Sequence, residues 1–122
     1  MKVKTVRIGI VDIFSASHLI PNHPKCSNLH GHDYRIEVIL EGNLQNNGMV
    51  LDFGVARNKI REVLSLLDHA HLNDIIQEIP TAENIAIFIA ERLSRIFSSY
   101  GLKVCLVRVW ETDKYWAEVV PT

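Results

Sequence analysis

Residues 26–42 read CSNLHGHDYRIEVILEG and join a polar motif to a segment of alternating apolar and polar side chains. From Asp33 to Gly42 the apolar residues fall at every second position, which predicts a strand with one wetter face. If the preceding residues are also extended, His30 and His32 project from one face of that strand. Two imidazoles at this spacing suit a borderline-soft ion such as Zn²⁺.

Two ligands do not make a metal site, so a third must come from another segment. His18, at the end of the stretch Phe14-Ser15-Ala16-Ser17-His18, is the candidate. Three histidines with an open fourth position make a catalytic zinc site, whereas closed structural sites usually carry more thiolates. The spacing leaves three alternatives for Cys26: a free thiol that acts as a base, a fourth zinc ligand, or an inert loop thiol. Surface imidazoles without a metal are the remaining alternative for the histidines.

Length and composition predict one soluble domain that spans residues 1–122. The hydrophobic fraction is 48% and the charged fraction 22%, which are ordinary values for a globular protein. A net charge of −1 provides no basic excess with which to bind nucleic acid. We expect no membrane partner, because no apolar run approaches the ~20 residues that span a bilayer. Residues 1–7 lack the apolar block of a signal peptide, so we expect a cytoplasmic protein.

The order of predicted elements is β-β-α-α-β-β. They are a strand at Val3–Phe14, a long irregular connection at Ser15–Leu29, the strand at Asp33–Gly42, a helix from Phe53 to about Leu67, a helix from Thr81 to Ser99, and strands at Leu102–Glu111 and Tyr115–Val120. The first helix should leave Arg57, Lys59, Arg61 and Glu62 to solvent. This order predicts an α+β fold with a four-stranded antiparallel sheet and both helices on one face. Its exposed edges and apolar second face predict a homo-oligomer.

Six short motifs give the chain a resemblance to a known family. They are Phe14-x-Ala16-x-His18, Cys26-x-x-x-His30-Gly31-His32, Met49-Val50-Leu51-Asp52-Phe53, Leu67-Asp68-His69-x-x-Leu72-Asn73, Pro80-Thr81-x-Glu83-Asn84 and Trp110-Glu111-Thr112. In this order, they resemble the 6-pyruvoyltetrahydropterin and 6-carboxytetrahydropterin synthases. The resemblance implies the tunnelling fold, a four-stranded antiparallel sheet with two helices. It also implies trimers, often paired into hexamers, with active sites between subunits.

The resemblance also implies roles for single residues. The family's zinc ligands fall on His18, His30 and His32, its proton-transfer groups on Cys26, Asp68 and His69, and its substrate contacts on Glu111, Thr81 and Phe53. Without the resemblance, Asp68 and His69 would be interpreted as a helix C-terminus, where a histidine favours the dipole. Thr81 would be a helix N-cap and Glu111 a solvated strand end.

The implied substrate is 7,8-dihydroneopterin triphosphate, and two products are possible. The short chain and the spacing of Cys26, His30 and His32 resemble the carboxy-forming members. These release acetaldehyde and supply the precursor of 7-deazaguanine nucleosides such as queuosine. The alternative is elimination of triphosphate to the pyruvoyl product of the tetrahydrobiopterin route. Relatives that make a hydroxymethyl pterin place a glutamate beside or instead of the cysteine, and the presence of Ser27 disfavours that reaction.

A function from a different class is a noncatalytic, zinc-stabilised oligomer that binds a pterin. Such a protein would keep the fold and the histidines but would have no need for proton-transfer groups. The chain has Cys26, Asp68, His69 and Glu111 together. This complete set favours the enzyme.

Overall fold

The computed structural model describes residues 2–3, 5–23 and 28–122. Its elements are β1 (Val6–His18), β2 (His30–Gly42), α1 (Phe53–Leu64), α2 (Leu72–Ile75), α3 (Ala82–Ser98), β3 (Lys103–Trp110) and β4 (Trp116–Val119). The predicted α+β order is confirmed, with the single turn of α2 added between the two main helices. The four strands form one antiparallel sheet in the order β1-β2-β3-β4. The helices pack on one face of this sheet, as predicted.

The first two strands are long and pair along their whole length, from Val6 opposite Gly42 to His18 opposite His30. Alternate residues of both strands enter the core. Phe14 and Tyr34 are cross-strand partners in this core, and their rings stack with centroids 5.0 Å apart. Because a slip by one residue would turn every side chain to the other face, this buried pair fixes which face the histidines occupy.

Strand β1 begins and ends later than the sequence predicted. The expected strand was Val3–Phe14, but the structure extends it to His18 and shortens the irregular connection accordingly. Ser15 and Ser17 resemble loop residues in sequence, yet they occupy the outer positions of a regular strand while Ala16 and His18 point inward. The segment after α1 pairs with their backbone groups: Asp68 Oδ1 accepts from Ser15 N, Ala70 O accepts from Ser17 N, and His69 N donates to Ser15 O. These tertiary contacts override the local preference of serine for turns.

The two main helices are amphipathic and begin at capped ends. The Asp52 side chain accepts a hydrogen bond from Gly54 N at 3.0 Å, and Thr81 Oγ1 accepts one from Asn84 N at 3.2 Å. Helix α1 ends at Leu64, three residues before the predicted end, and turns follow it. No helix in the described part of the chain is long and apolar enough to cross a membrane.

The segment after α1 is fastened to the end of β1. His69 N donates to Ser15 O at 2.6 Å and Ser17 N donates to Ala70 O at 3.0 Å. The Asn73 amide then binds both backbone groups of Leu19, accepting from N at 2.9 Å and donating to O at 2.8 Å. These contacts hold the chain on either side of His18.

We expect Asn73→Ala to lower the free energy of unfolding by about 1–3 kcal/mol, because both backbone groups of Leu19 lose their partner. Urea denaturation followed by circular dichroism measures the change. Asn58→Ala, at an exposed position of α1, is the matched control and should cause little loss. Equal losses in the two variants would contradict the proposed role of Asn73.

Candidate metal centre

Three imidazoles and one carboxylate converge at one end of the sheet. His18 ends β1, His30 and His32 begin β2, and Glu111 directly follows β3. One ligand atom from each lies within 4.8 Å of the others. The antiparallel register brings His18 opposite His30, and the pairing of β2 with β3 brings Glu111 to the same end. The predicted common face for His30 and His32 is therefore confirmed.

The imidazole rings of His18 and His30 face each other closely. Their Nε2 atoms lie 2.8 Å apart. The Nδ1 atom of His18 is 2.8 Å from Pro80 O, and that of His30 is 2.8 Å from Asn28 O. A carbonyl oxygen only accepts hydrogen bonds, so each Nδ1 carries a proton, and a ring with that single proton presents a lone pair at Nε2. Two such lone pairs repel each other at this distance unless a proton or a metal ion lies between them.

His32 and Glu111 complete the group of possible ligands. His32 Nε2 is buried, lies 3.1 Å from Glu111 Oε1, and makes no hydrogen bond within the described residues. The same carboxylate oxygen lies 3.7 Å from His18 Nε2. Imidazole nitrogens with a carboxylate oxygen are a donor set that suits Zn²⁺, and carbonyl oxygens behind the rings are the usual means of orienting such ligands. The group could therefore bind a metal ion.

Burial keeps the imidazoles in the form that a metal requires. It lowers the pKa of His18 below its ordinary value of 6.5, although the hydrogen bond to Pro80 O opposes the shift. Burial likewise lowers the pKa of His32, and the charge of Glu111 opposes it. Both rings are thus neutral near pH 7, so their lone pairs are available to a cation.

Asp68 and His69 form a second polar group in the turn after α1. Asp68 Oδ1 accepts a hydrogen bond from Ser15 N at 3.0 Å and lies 3.1 Å from His69 Nδ1. The hydrogen bond from Ser15 is the main cause of the lowered pKa of the Asp68 carboxyl. His69 has a left-handed backbone, with φ 58°, and its side chain is 83% exposed. Its ring can therefore donate Nδ1–H to Asp68 and leave Nε2 free.

The two groups are linked by an open cleft of about 650 Å³, which His32 and His69 both line. Ser17 and His71 line it too, and Ser17 Oγ lies 3.0 Å from His71 Nδ1. Asp68 and His69 are not part of the histidine–glutamate group, so the structure separates the candidate metal ligands from the Asp68–His69 pair.

The remaining predicted residues occupy different places. Thr81 caps α3 and follows Pro80, whose carbonyl orients His18, so it lies beside the site. Phe53 is the first residue of α1, 65% exposed, and the histidine–glutamate group does not include it. Cys26 lies outside the described residues. Sequence reasoning missed the carbonyls of Pro80 and Asn28, because a backbone acceptor has no side-chain signature.

The fold and this site define a small α+β protein with a candidate metal centre built mainly from histidines. The chain belongs to the 6-pyruvoyl tetrahydropterin synthase family, whose model matches residues 7–122. The match spans all the described elements except the first residue of β1. The family resemblance and the tunnelling fold expected from the sequence are therefore confirmed.

Individual relatives agree with this assignment. A protein of Archaeoglobus fulgidus with the provisional name 6-carboxy-5,6,7,8-tetrahydropterin synthase is 45% identical over 115 residues, covering 92% of this chain and 93% of the relative. The Haemophilus influenzae 6-carboxy-5,6,7,8-tetrahydropterin synthase is 33% identical, covering 86% and 92%. Among solved structures, Caenorhabditis elegans 6-pyruvoyl tetrahydropterin synthase superposes with a TM-score of 0.88 at 27% identity, covering 100% and 99%.

We expect the metal-free protein to lose stability as the pH falls from about 7.5 to about 5.5. The unfolded histidines take up protons at their ordinary pKa, whereas folded His18 and His32 have lowered pKa values, so acid favours the unfolded state. Urea denaturation at several pH values measures the slope. His32→Gln should reduce the slope, because one of the two groups is removed. A stability that stays constant or rises on acidification would contradict the lowered pKa values.

Proposed function

We propose that this protein is a zinc-dependent lyase that converts 7,8-dihydroneopterin triphosphate and water to 6-carboxy-5,6,7,8-tetrahydropterin, acetaldehyde and triphosphate. The observation that carries the proposal is the convergence of His18, His30, His32 and Glu111 at one end of the sheet. Relatives named for the carboxy product, at up to 45% identity, support this choice of reaction. The product would be the precursor of 7-deazaguanine nucleosides such as queuosine.

His18, His30 and His32 would hold the zinc ion. The carbonyls behind His18 and His30 fit this ion, because they take the Nδ1 proton of each ring and leave Nε2 to face the centre of the group. When bound, zinc supplies a Lewis acid that can polarise the hydroxyl groups of the substrate side chain.

Two groups of this chain would move protons. Cys26 lies four residues before His30, and as a thiolate it would remove a proton from the side-chain carbon next to the pterin ring. His69 would move a second proton through Nε2, because Asp68 holds the proton on Nδ1. A positioned proton-transfer group contributes about 10²–10⁴-fold to the rate.

Glu111 would bind the pterin ring. Its two carboxylate oxygens can accept the paired N–H donors of a 2-amino-4-oxo ring edge, and such a bidentate contact discriminates strongly against analogues that lack the donors. Its closeness to His32 allows a second role as a fourth metal ligand, which would close the open position. Thr81 and Phe53 would be further substrate contacts, Thr81 through its place beside the site and Phe53 through the family motif alone.

We also propose a cytoplasmic homo-oligomer, a trimer or hexamer with active sites between subunits. Val11, Ile13 and Trp116 are exposed on the outer face of the sheet, where a second copy would cover them. The exposed His69 agrees with an active site that another subunit completes. The oligomer would also cover the free edge of β4, since unpaired sheet edges are rarely left open.

Two other reactions are alternatives. The C. elegans 6-pyruvoyl tetrahydropterin synthase shares the fold at 27% identity, which supports elimination of triphosphate to the pyruvoyl product. A Pyrococcus furiosus dihydroneopterin monophosphate aldolase is 33% identical, covering 87% of this chain and 90% of that protein. The same residues could begin each reaction, so the products must be identified.

Incubation with 7,8-dihydroneopterin triphosphate should yield acetaldehyde and the carboxy pterin, identified by mass spectrometry. Cys26→Ala should keep the zinc content and pterin binding while the rate falls about 10²–10⁴-fold. Parallel incubation with the monophosphate tests the aldolase reaction. A pyruvoyl or hydroxymethyl product would replace the proposed reaction with that alternative. Pterin binding without turnover of either substrate would indicate the noncatalytic oligomer.

Glu111→Ala should weaken pterin binding by about tenfold or more while the zinc content stays near that of the wild type, because we place Glu111 on the substrate. Calorimetric titration with a pterin and elemental analysis measure the two effects. His32→Ala is the matched comparison and should lower the zinc content instead. A loss of zinc in Glu111→Ala with unchanged pterin affinity would make Glu111 a ligand.

A further inference from the structure

Arg61 of α1 is not the solvated helix residue that the sequence predicted. Its side chain is 33% exposed, and Nη1 donates to Ile13 O at 2.9 Å. The same nitrogen lies 3.4 Å from Asp12 Oδ1, while Nη2 lies 3.6 Å from Asp68 Oδ2. One guanidinium group thus joins α1, the middle of β1 and the turn that carries Asp68.

The two oxygen atoms of the Asp68 carboxylate have different partners. Oδ1 faces Ser15 N and His69 Nδ1, whereas Oδ2 faces Arg61. A guanidinium is a planar fork with fixed angles between its donors. Because Nη1 of Arg61 is hydrogen-bonded to Ile13 O, the planar guanidinium holds Nη2 in a set position. That position favours one orientation of the Asp68 carboxylate.

The His69 ring needs such support because its own surroundings hold it weakly. The Asp68 side chain is 24% exposed and that of His69 is 83% exposed, so core packing does not fix the imidazole. A rotation of the carboxylate would separate Oδ1 from Nδ1. The proton of His69 could then move to Nε2, which is the atom that must stay unprotonated in a base.

We propose that Arg61 is a positioning residue that holds the Asp68 carboxylate so that His69 keeps its proton on Nδ1. The inference about Asp68 and His69 stands on the contacts, and only its effect on turnover rests on the proposed function. The simpler alternative is that Arg61 merely ties α1 to β1 and leaves His69 unaffected.

Arg57 provides a matched control on the same helix. Its Nε atom lies 3.7 Å from Asp12 Oδ2, and its side chain is 63% exposed. Arg57 and Arg61 therefore both contact Asp12. Of these two arginines, Arg61 is the one that forms an ion pair with Asp68 in the described part of the chain. Arg57→Gln removes the same charge from the same face of α1 without touching the pair.

The direct test is nitrogen NMR of the labelled protein at a pH where histidines are neutral, which reports the ring nitrogen that carries the proton. Wild type and Arg57→Gln should show His69 protonated at Nδ1. Arg61→Gln should shift the population towards Nε2, and Asp68→Asn should do the same while keeping the contact of Arg61 with Ile13. An unchanged His69 tautomer in Arg61→Gln would overturn the proposal, whether or not the melting temperature falls.

The variant Arg61→Lys separates the effect of the positive charge from the effect of the planar guanidinium geometry. A lysine ammonium restores the positive charge but cannot hold Ile13 O and Asp68 in the same planar geometry. We expect His69 in this variant to remain shifted towards Nε2. Full recovery of the wild-type tautomer would show that charge alone suffices and would overturn the positioning role of the guanidinium.

The kinetic test uses the same variants. Arg61→Gln should lower kcat by about 10- to 100-fold with little change in KM, because a misoriented base slows the chemical step. In an Asp68→Asn background the same change should cause no further loss, since both act through one carboxylate. Additive losses would overturn the proposal. If the wild-type protein turns over none of the pterin substrates, the proposed function fails, and the NMR comparison still decides the role of Arg61.

Discussion

The structure depends on the cross-strand pairing of His18 with His30, at the end of the β1–β2 ladder where the chain connects the two strands. This register brings two imidazole lone pairs to within 2.8 Å, and His32 joins them because it lies two residues further along the same face. A slip by one residue would place His30 and His32 on the outer face and dismantle the site. The buried ring pair of Phe14 and Tyr34 opposes such a slip, so the hydrophobic core maintains the geometry of the ligands.

The hydrophobic core also influences the site through a backbone carbonyl group. Helix α3 packs its buried face against the sheet, and its capped N-terminus fixes the position of Pro80. The carbonyl of Pro80 then sets the tautomer of His18, which is fully buried. A change in helix packing would therefore alter the geometry of the candidate metal ligands without touching them. This route is one reason that variants distant from a metal centre can change its affinity.

The two polar groups of the site differ in environment in a way that suits different tasks. Near Glu111, His18 is buried and His32 is partly buried, and burial lowers the pKa of both, which favours a bound cation. Asp68 is ionised and hydrogen-bonded to β1, and His69 is exposed on a left-handed backbone. The exposed imidazole of His69 is accessible to a molecule in solution. The orientation of this pair depends on contacts from α1 and β1 rather than on the core.

The order of elements and the shared face of His30 and His32 could be predicted from the sequence alone, because both follow from the local repeat of side chains along the chain. The family motifs carry the roles assigned to Cys26, Thr81 and Phe53, and these stay predictions. The length of β1, the carbonyls behind the histidines and the contacts of Arg61 with β1 and Asp68 became evident only in the folded structure. Such features depend on which distant segments meet. The local periodicity of the sequence does not encode these tertiary contacts, since they are set by strand register and core packing over the whole chain.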